Sequence, residues 1–409
     1  MLGAIADDFT GATDLATMLR RSGHRVAVVI EDGALPAGDG GAVDAVVVAL
    51  KTRTAPVAEA VRASIGALGR LRAWGADRCY LKYCSTFDST DTGNIGPVLD
   101  ALADALDAER VVVVPSLPAN GRTVYHGHLF VGPDLLENSS MRKHPLTPMT
   151  RSRVAELLRP QTAHEVAEVP WETVRLGGEA LRSALAGTSA RYAVVDAIED
   201  ADLLAIGAAT ADDVLVSGGS GLALGIPGPR RGGAPWVAPP PGRGAVLCGS
   251  VSRTSLAQVA HAALDRPVRR IDLDAALADP GAEAAAIADW VLTRPPDTAP
   301  VVCAARERAD VRAEVGGTPG AVLVEAVLAD VAARLVSSGQ VTALVVAGGE
   351  TSGAVVRALG VGVLHIGPEL APGVCWATAD AHGRGIAIAL KSGNFGGTDL
   401  FTRAWEALR

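Results

Sequence analysis

Short apolar runs alternate with longer stretches of helical periodicity along this chain. Strand-like runs fall at Leu2–Ala6, Val26–Ile30, Ala45–Leu50, Cys79–Lys82, Val111–Pro115, Ala193–Asp196 and Val214–Val216. Ala-rich helical patterns lie between several of them, at Gly11–Arg21, Val57–Trp74 and Pro97–Leu106. This alternation predicts an α/β fold with a mostly parallel, doubly wound sheet. Ligands of such sheets bind beyond the carboxyl ends of the strands. From about Ser116 to Pro160 the alternation breaks, and a long irregular segment in a compact domain reads as a functional loop.

Between Ile226 and Gly244 the chain is dominated by Pro and Gly, including Pro239-Pro240-Pro241, which excludes a regular element. Beyond it the pattern restarts. Strands are expected at Ala245–Gly249, Val268–Ile271, Val301–Ala304, Thr342–Ala347, Val363–Ile366 and Ile386–Leu390. Helices are expected at Ser255–Leu264, Glu283–Leu292, Ala321–Ser338, Ala354–Leu359 and Asp399–Leu408. The expected organisation is two doubly wound domains with mostly parallel sheets, residues 1–226 and 244–409, joined by a Pro/Gly-rich linker, residues 227–243.

Composition narrows the function classes. At 409 residues the chain is long for a single core. Hydrophobic residues make up 49% with only 4% aromatic, so Ala, Val, Leu and Gly supply the apolar mass, as helix-covered parallel sheets require. A net charge of -8 argues against a nucleic-acid partner but leaves local anion pockets open. The odd set Cys79, Cys84, Cys248, Cys303 and Cys375 has no Cys-x-x-Cys pairing, which fits a reducing compartment better than a disulfide framework or zinc site. No signal sequence and no membrane-spanning stretch is read from the chain, so a soluble, cytoplasmic protein is expected. The assembly is left open, with a homodimer as one arrangement.

Three Gly/Ser loops of the second half each follow a strand and precede a helix. They are Cys248-Gly249-Ser250-Val251-Ser252-Arg253-Thr254, Gly348-Gly349-Glu350-Thr351-Ser352-Gly353, and Lys391-Ser392-Gly393-Asn394-Phe395-Gly396-Gly397. A parallel sheet places all three on one edge. Strand, Gly-rich turn and helix N-terminus present backbone N–H groups and a positive dipole end to phosphate. Thr351 or Ser352 is the expected cap of the helix beginning at Ala354. No Gly-Lys-Ser/Thr follows, so this is not a P-loop. Together the loops suggest a site for an extended, phosphate-bearing ligand such as a nucleotide.

The first half carries charge and hydroxyls instead. Asp7-Asp8-Phe9-Thr10-Gly11-Ala12-Thr13-Asp14 leaves the first strand, and its three carboxylates can hold Mg²⁺, accept sugar hydroxyls or act as a base. Lys82-Tyr83-Cys84-Ser85-Thr86-Phe87-Asp88-Ser89-Thr90 gives one cation among many hydroxyls, which with the helix start at Gly93-Asn94-Ile95-Gly96 suits a carboxylate-bearing polyol. Arg122 can take a carboxylate through two bonds. His126 and His128 are expected on one face of a strand but fix no third ligand, so the metal ligands are unknown. Phosphoryl transfer to a small, polar, anionic acceptor is the inference from residue chemistry.

These motifs carry a resemblance. Ile5-Ala6-Asp7-Asp8-Phe9-Thr10-Gly11-Ala12-Thr13-Asp14, the Lys82–Thr90 stretch with Gly93-Asn94-Ile95-Gly96, and Gly348-Gly349-Glu350-Thr351-Ser352-Gly353 resemble the signatures of the four-carbon acid sugar kinases. Pro118–Tyr125, Gly127–Gly132, His144–Thr150 and Leu390–Gly396 are similar to the 3-oxo-tetronate kinase branch. His144 stands where the sister threonate and erythronate kinases more often have Asp, and Arg151 departs from the Asp common in the branch.

The resemblance implies an ATP-dependent kinase, with Mg²⁺, that phosphorylates the C4 hydroxyl of 3-oxo-tetronate. The first domain would hold the acid sugar and the second the ATP, with Ser250, Ser252, Gly349, Glu350, Thr351, Ser352, Gly353, Gly393 and Gly396 as the contacts the resemblance implies. Asp8 or Asp14 would accept the hydroxyl proton. Asp7, Lys82, Ser85, Thr86, Asp88, Arg122 and His144 would bind substrate, with Lys82 and Arg122 on its carboxylate. The alternatives are a threonate or erythronate kinase of the same family, or a non-catalytic acid-sugar sensor.

Overall fold

The computed structural model describes residues 1–36, 43–144, 147–229 and 236–408. The chain divides into two compact units, Met1–Ala234 and Pro235–Arg409. Residues 230–235 of the expected linker lie outside the described residues, and its last residue, Arg243, already belongs to a strand.

The first unit begins β1 (Leu2–Ala6), α1 (Phe9–Arg21), β2 (Val26–Ile30), β3 (Ala45–Ala49), α2 (Val57–Trp74), β4 (Arg78–Lys82), α3 (Ile95–Ala105) and β5 (Val111–Val114). A small layer follows, β6 (Arg122–Tyr125), β7 (His128–Val131), β8 (Asp134–Leu135) and α4 (Val154–Leu158). The unit closes with β9 (Val166–Val169), α5 (Trp171–Val174), α6 (Gly178–Ala186), β10 (Tyr192–Val195), α7 (Asp200–Ala209) and β11 (Leu215–Gly218). Its main sheet runs β2-β3-β1-β4-β11-β5-β10-β9, every pair parallel. β1, β2, β3 and β5 are buried at every position, which is why they read as continuous apolar runs rather than alternating ones. The last strand, β11, inserts between β4 and β5.

The segment after Ser116 is more ordered than its composition suggests. β6, β7 and β8 form a three-stranded antiparallel sheet. His126 and His128 therefore do not share a strand face. His126 has φ of 48° and sits in the turn between β6 and β7, with Gly127 at 72° beside it. The pairing follows from that turn: two successive residues at positive φ suit a tight hairpin.

The second unit runs β12 (Arg243–Cys248), α8 (Arg253–Ala262), β13 (Val268–Arg270), α9 (Leu273–Ala278), α10 (Pro280–Leu292) and β14 (Val301–Cys303). It continues through β15 (Glu314–Val315), β16 (Thr318–Pro319), α11 (Gly320–Ser337), β17 (Val341–Ala347) and α12 (Gly349–Ala358). It ends with β18 (Val363–Ala371), β19 (Val374–Ala381), β20 (Arg384–Lys391) and α13 (Leu400–Arg403). Strands β13-β14-β12-β17-β20 are parallel, and β19 and β18 extend the row antiparallel. β19 is absent from the sequence reading. Its hairpin with β18 turns at Pro372-Gly373, where Gly373 has φ of 75°. Trp376, Phe401 and the inward residues of β12, β17 and β20 share one buried cluster.

Register decides where the loops emerge. Ala6 pairs with Ala49 and with Lys82, and Lys82 with Gly218. Cys248 pairs with Cys303 and with Ala347, and Ala347 with Lys391. Within each unit the carboxyl ends of the central strands are thus level, and the chemistry-bearing loops leave from one edge.

Candidate active site

In the first unit, Asp7 and Asp8 stand between β1 and α1. Asp8 is the N-cap: one carboxylate oxygen accepts from Gly11 N at 2.9 Å, and the other from Thr10 Oγ1 at 2.8 Å. Arg53 leaves the end of β3 and organises the pair. Its Nε and Nη2 each donate to Asp7 at 2.8 Å, and Nη2 also donates to Asp8 at 2.7 Å. Asp88 Oδ2 lies 4.0 Å from the same guanidinium. Asn94 Nδ2 fixes the turn that carries Arg53 by donating to the carbonyls of Thr52 (2.6 Å), Arg53 (3.3 Å) and Ala55 (2.9 Å). The polar Gly93–Gly96 motif thus holds the arginine in place.

Lys82, at the end of β4, is buried. Its Nζ lies 3.8 Å from Asp14 Oδ2 and donates to Tyr83 O at 3.0 Å. Asp14 Oδ1 is buried without a hydrogen-bond partner among the described residues. A side chain at position 11 would displace the site, because a Cβ there would lie 2.3 Å from Asp8 Oδ1 and 3.1 Å from Lys82 Nζ. Thr86 Oγ1 donates to Asp88 at 2.5 Å, and Cys84 Sγ sits 2.9 Å from the same hydroxyl. Burial pushes the Cys84 thiol up to about 12, so it stays protonated. Ser85 is half-buried on the same loop.

The three carboxylates are not equivalent. Burial pushes Asp14 above its ordinary value, against the pull of Lys82 and the nearby Ser220 hydroxyl. Burial also raises Asp7, although Arg53 opposes it. Asp8 is the reverse: burial acts upward, but Arg53, Lys82, Thr10 and the Gly11 N–H together hold it below the usual value.

Arg122, the first residue of β6, donates from Nη1 to Asn120 O, and its Nε is buried with no partner among the described residues. Its charge acts on Asp14. His144 makes its contacts within its own turn, where Nδ1 accepts from Thr147 N at 3.1 Å and lies 2.9 Å from Thr147 Oγ1. Pro145 and Leu146 lie outside the described residues. Arg151 pairs with Asp91. The sequence reading missed Arg53 and Ser220. The signal for Arg53 was its place just beyond an apolar strand in the parallel alternation; Ser220 follows β11, which only the sheet order brings beside β4.

In the second unit the three Gly/Ser loops are hydrogen-bonded together. Gly249 N and Ser250 N donate to Ala347 O, and Gly348 N donates to Lys391 O. Ser252 caps α8 by accepting from Ser255 N at 3.1 Å, and its hydroxyl donates to Gly393 O at 2.6 Å. Gln258 Nε2 reaches the carbonyls of Phe395, Gly396 and Gly397 at 2.9–3.2 Å. α12 starts earlier than its sequence suggests. Gly348 is the N-cap, at φ 123°, and no side chain caps the helix. Thr351 and Ser352 lie buried in the first turn instead of capping it. Glycine alone reaches this φ readily, so the chain passes from β17 into the helix at once, with the first turn unoccupied by a cap.

These loops line one cavity of about 390 Å³, within the range of small-molecule pockets. Ser250, Gly349, Glu350, Thr351 and Gly393 of the loops line it, together with the charged residues Asp310, Arg312 and Glu325. Its apolar wall comes from Leu273, Ala304, Ala305, Val311, Ala321 and Val324, which carry no motif and were not legible as ligand contacts. No group of three His, Cys, Asp or Glu among the described residues is placed to hold a metal ion. No described helix is long and apolar enough to cross a membrane.

Comparison with known proteins gives matching domain families for the two halves. Residues 2–226 match the sugar-binding N-terminal domain family, and residues 245–401 the nucleotide-binding C-terminal domain family. A 3-oxo-tetronate kinase of Cupriavidus necator is 46% identical, with 100% of this chain and 97% of the relative covered. One of Salmonella typhimurium is 42% identical, with 98% of each covered. A crystal structure from Salmonella typhimurium LT2 is similar at TM-score 0.89 and 42% identity, covering 98% of each chain. That of Haemophilus influenzae protein HI1011 is similar at TM-score 0.81 and 36% identity over the whole of both chains. Identity at this level across the full length, with both domain families in order, establishes the relationship: the chain belongs to the four-carbon acid sugar kinase family, in its 3-oxo-tetronate kinase branch.

Proposed function

We propose that this chain is an ATP-dependent kinase that phosphorylates the C4 hydroxyl of 3-oxo-tetronate to give the 4-phosphate and ADP. The observation that carries the kinase reading is the set of three loops hydrogen-bonded around one cavity, with the uncapped start of α12 in its wall. The whole-chain likeness to 3-oxo-tetronate kinases supports the substrate. The cytoplasm is the proposed location and a homodimer the assembly to test by light scattering.

In this reading the nucleotide lies against Ser250, Gly349, Glu350, Thr351 and Gly393 of the cavity lining, with Ser252, Ser352, Gly353 and Gly396 as the further contacts on the same loops. Backbone N–H groups at the α12 start and its dipole favour the negative charge. A Mg²⁺ ion bound with the nucleotide would neutralise charge on the phosphates. Such an ion takes one or two protein carboxylates beside its phosphate oxygens and waters. Asp310, Glu325 and Glu350 line the cavity and are the candidates.

The acid sugar is assigned to the Asp7–Asp14, Lys82–Asp88 and Arg122 cluster, with His144 as the branch-specific contact. Lys82 and Arg122 offer positive charge to its carboxylate, and Ser85, Thr86 and Asp88 offer hydrogen bonds to its hydroxyls. The C4 oxygen attacks the γ-phosphorus, the bond to the β-phosphate oxygen breaks, and the proton passes to Asp14 or Asp8. Transfer of this kind depends mainly on alignment and charge neutralisation, so the base contributes modestly.

The test is ADP release in a coupled assay against four-carbon sugar acids and their 3-oxo forms. Turnover with a 3-oxo acid alone is expected. Turnover with threonate or erythronate instead keeps the kinase and overturns the branch-specific substrate. Acid-sugar binding without ATP binding favours a sensor, and ATP binding without turnover on any acid overturns the acceptor assignment to the first-unit loops.

A further inference from the structure

Lys391 is fully buried at the end of β20. Its Nζ donates to Ser255 Oγ at 3.2 Å and to Gly393 O at 3.1 Å, and it lies 5.8 Å from the centre of the Phe401 ring. All three neighbours are uncharged, and no carboxylate pairs with the ammonium among the described residues. Ser255 is in the first turn of α8, whose dipole presents positive charge rather than a counter-charge. Facing it from β12 is Cys248, whose thiol burial pushes up to about 11 and keeps neutral. From β17 the register partner is Ala347, from α8 comes Ser255, and from α13 comes Phe401. Among the described residues, Cys248 is the titratable side chain that acts on it. A buried cation without a partner is costly, and proteins normally pair it or let it neutralise.

Of the two groups that Lys391 holds, Gly393 belongs to the third nucleotide loop and Ser255 to the helix that follows the first. Gly393 O takes three donors, Ser252 Oγ at 2.6 Å, Ser255 Oγ at 2.9 Å and Lys391 Nζ at 3.1 Å. Gly393 itself lines the cavity beside Ser250. We propose that Lys391 is a positioning residue of the nucleotide site, whose counter-charge is the phosphate group of the bound nucleotide and whose ammonium sets Gly393 and Ser255 for it. The inference rests on the kinase reading and adds to it a residue that none of the three loops' Gly/Ser contacts supplies.

The consequence is proton linkage. Burial lowers Lys391 to about 8 in the nucleotide-free protein. An anion nearby favours the ammonium and raises that value. Nucleotide binding therefore takes up a proton where free Lys391 is partly neutral, and affinity falls as pH rises through that window.

The experiment is calorimetry of ADP and of adenosine on the full chain between about pH 8 and 9.5, where the ADP phosphates are already ionised, in buffers of different ionisation enthalpy. For the unaltered chain, ADP is expected to bind with proton uptake and weaken with pH, and adenosine to bind without either. Lys391→Met is expected to weaken ADP ~10-fold or more, remove the uptake and leave adenosine unchanged. Lys391→Arg is expected to restore ADP affinity without the pH dependence, because its charge persists. Proton uptake that survives in Lys391→Met, or an equal loss of ADP and adenosine, overturns the proposal. If Lys391→Met does not fold, as circular dichroism shows, the unaltered chain and Lys391→Arg decide: no difference between their pH profiles overturns it. If the unaltered chain binds neither ligand, the kinase reading falls and this inference with it. ADP binding with no proton uptake leaves the kinase and overturns Lys391 alone.

Discussion

Arg53 holds Asp7 with two parallel hydrogen bonds, Nε and Nη2 each 2.8 Å from a carboxylate oxygen. The same Nη2 bridges to Asp8. One guanidinium thus supports both acids of the Asp7-Asp8 pair and fixes their spacing.

Replacing Arg53 with Met leaves two carboxylates facing each other with little solvent. The expected loss is about 3 kcal/mol of stability, toward the low end for a broken buried pair. The acid-sugar kcat/KM should fall roughly 100-fold with ATP affinity kept, since a misplaced catalytic group costs on that order. Arg53→Lys should recover stability only in part, because a point charge cannot reproduce the fork. Thermal unfolding and steady-state kinetics check both; an Arg53→Met chain with normal kcat/KM removes Arg53 from the site.

Asp8→Asn keeps a capping side chain on α1 but removes the charge that Arg53 and Lys82 stabilise, so a moderate loss of stability is expected beside the kinetic effect. Turnover should fall sharply while ATP binding survives. Turnover within about tenfold of the unaltered chain would show that Asp8 is not the base. Asp14→Asn is the matching test of the other candidate.

The pH profile separates the two acids independently. A base must be ionised to accept a proton, so the rate falls as pH drops through its pKa. Burial holds Asp14 above the ordinary carboxylate value, whereas Arg53 and Lys82 outweigh burial and hold Asp8 below it. An acid limb in kcat/KM above about pH 4 assigns the proton to Asp14, and one below it to Asp8.

A Cβ at position 393 would come within 2.5 Å of Ser250 Oγ and 3.2 Å of Ser252 Oγ. Gly393→Ala should therefore raise the KM for ATP about tenfold with little change in the KM for the acid sugar. Gly348→Ala forces a side chain to φ of 123° and should cost about 1–3 kcal/mol as well. A change in the acid-sugar KM alone would detach these loops from the nucleotide.

The likeness of loop to role was legible where one segment carries the whole signal. Asp7-Asp8, the Lys82–Asp88 run and the three Gly/Ser loops each sit beside an apolar strand, and level strand ends follow from a parallel sheet. Arg53 was not legible as a partner of Asp7, because that contact joins residues 46 apart and depends on β3 lying next to β1. The cap of α12 was misplaced for a local reason: Thr351 and Ser352 are good capping residues, but Gly348 had already turned the chain.

The sequence by itself determined the strands, their burial and the chemistry at their ends. Apolar runs must be covered on both faces, and the residues that follow them must emerge at an edge. Tertiary structure decided which ends became neighbours. Strand order placed β11 between β4 and β5, set Lys82 against Asp14, and gathered Leu273, Ala304, Val311 and Val324 into a cavity wall. Those contacts depend on long-range pairing and burial, which local propensity does not encode. They also leave Lys391 buried without a carboxylate partner among the described residues, a placement visible only once the helices cover the sheet.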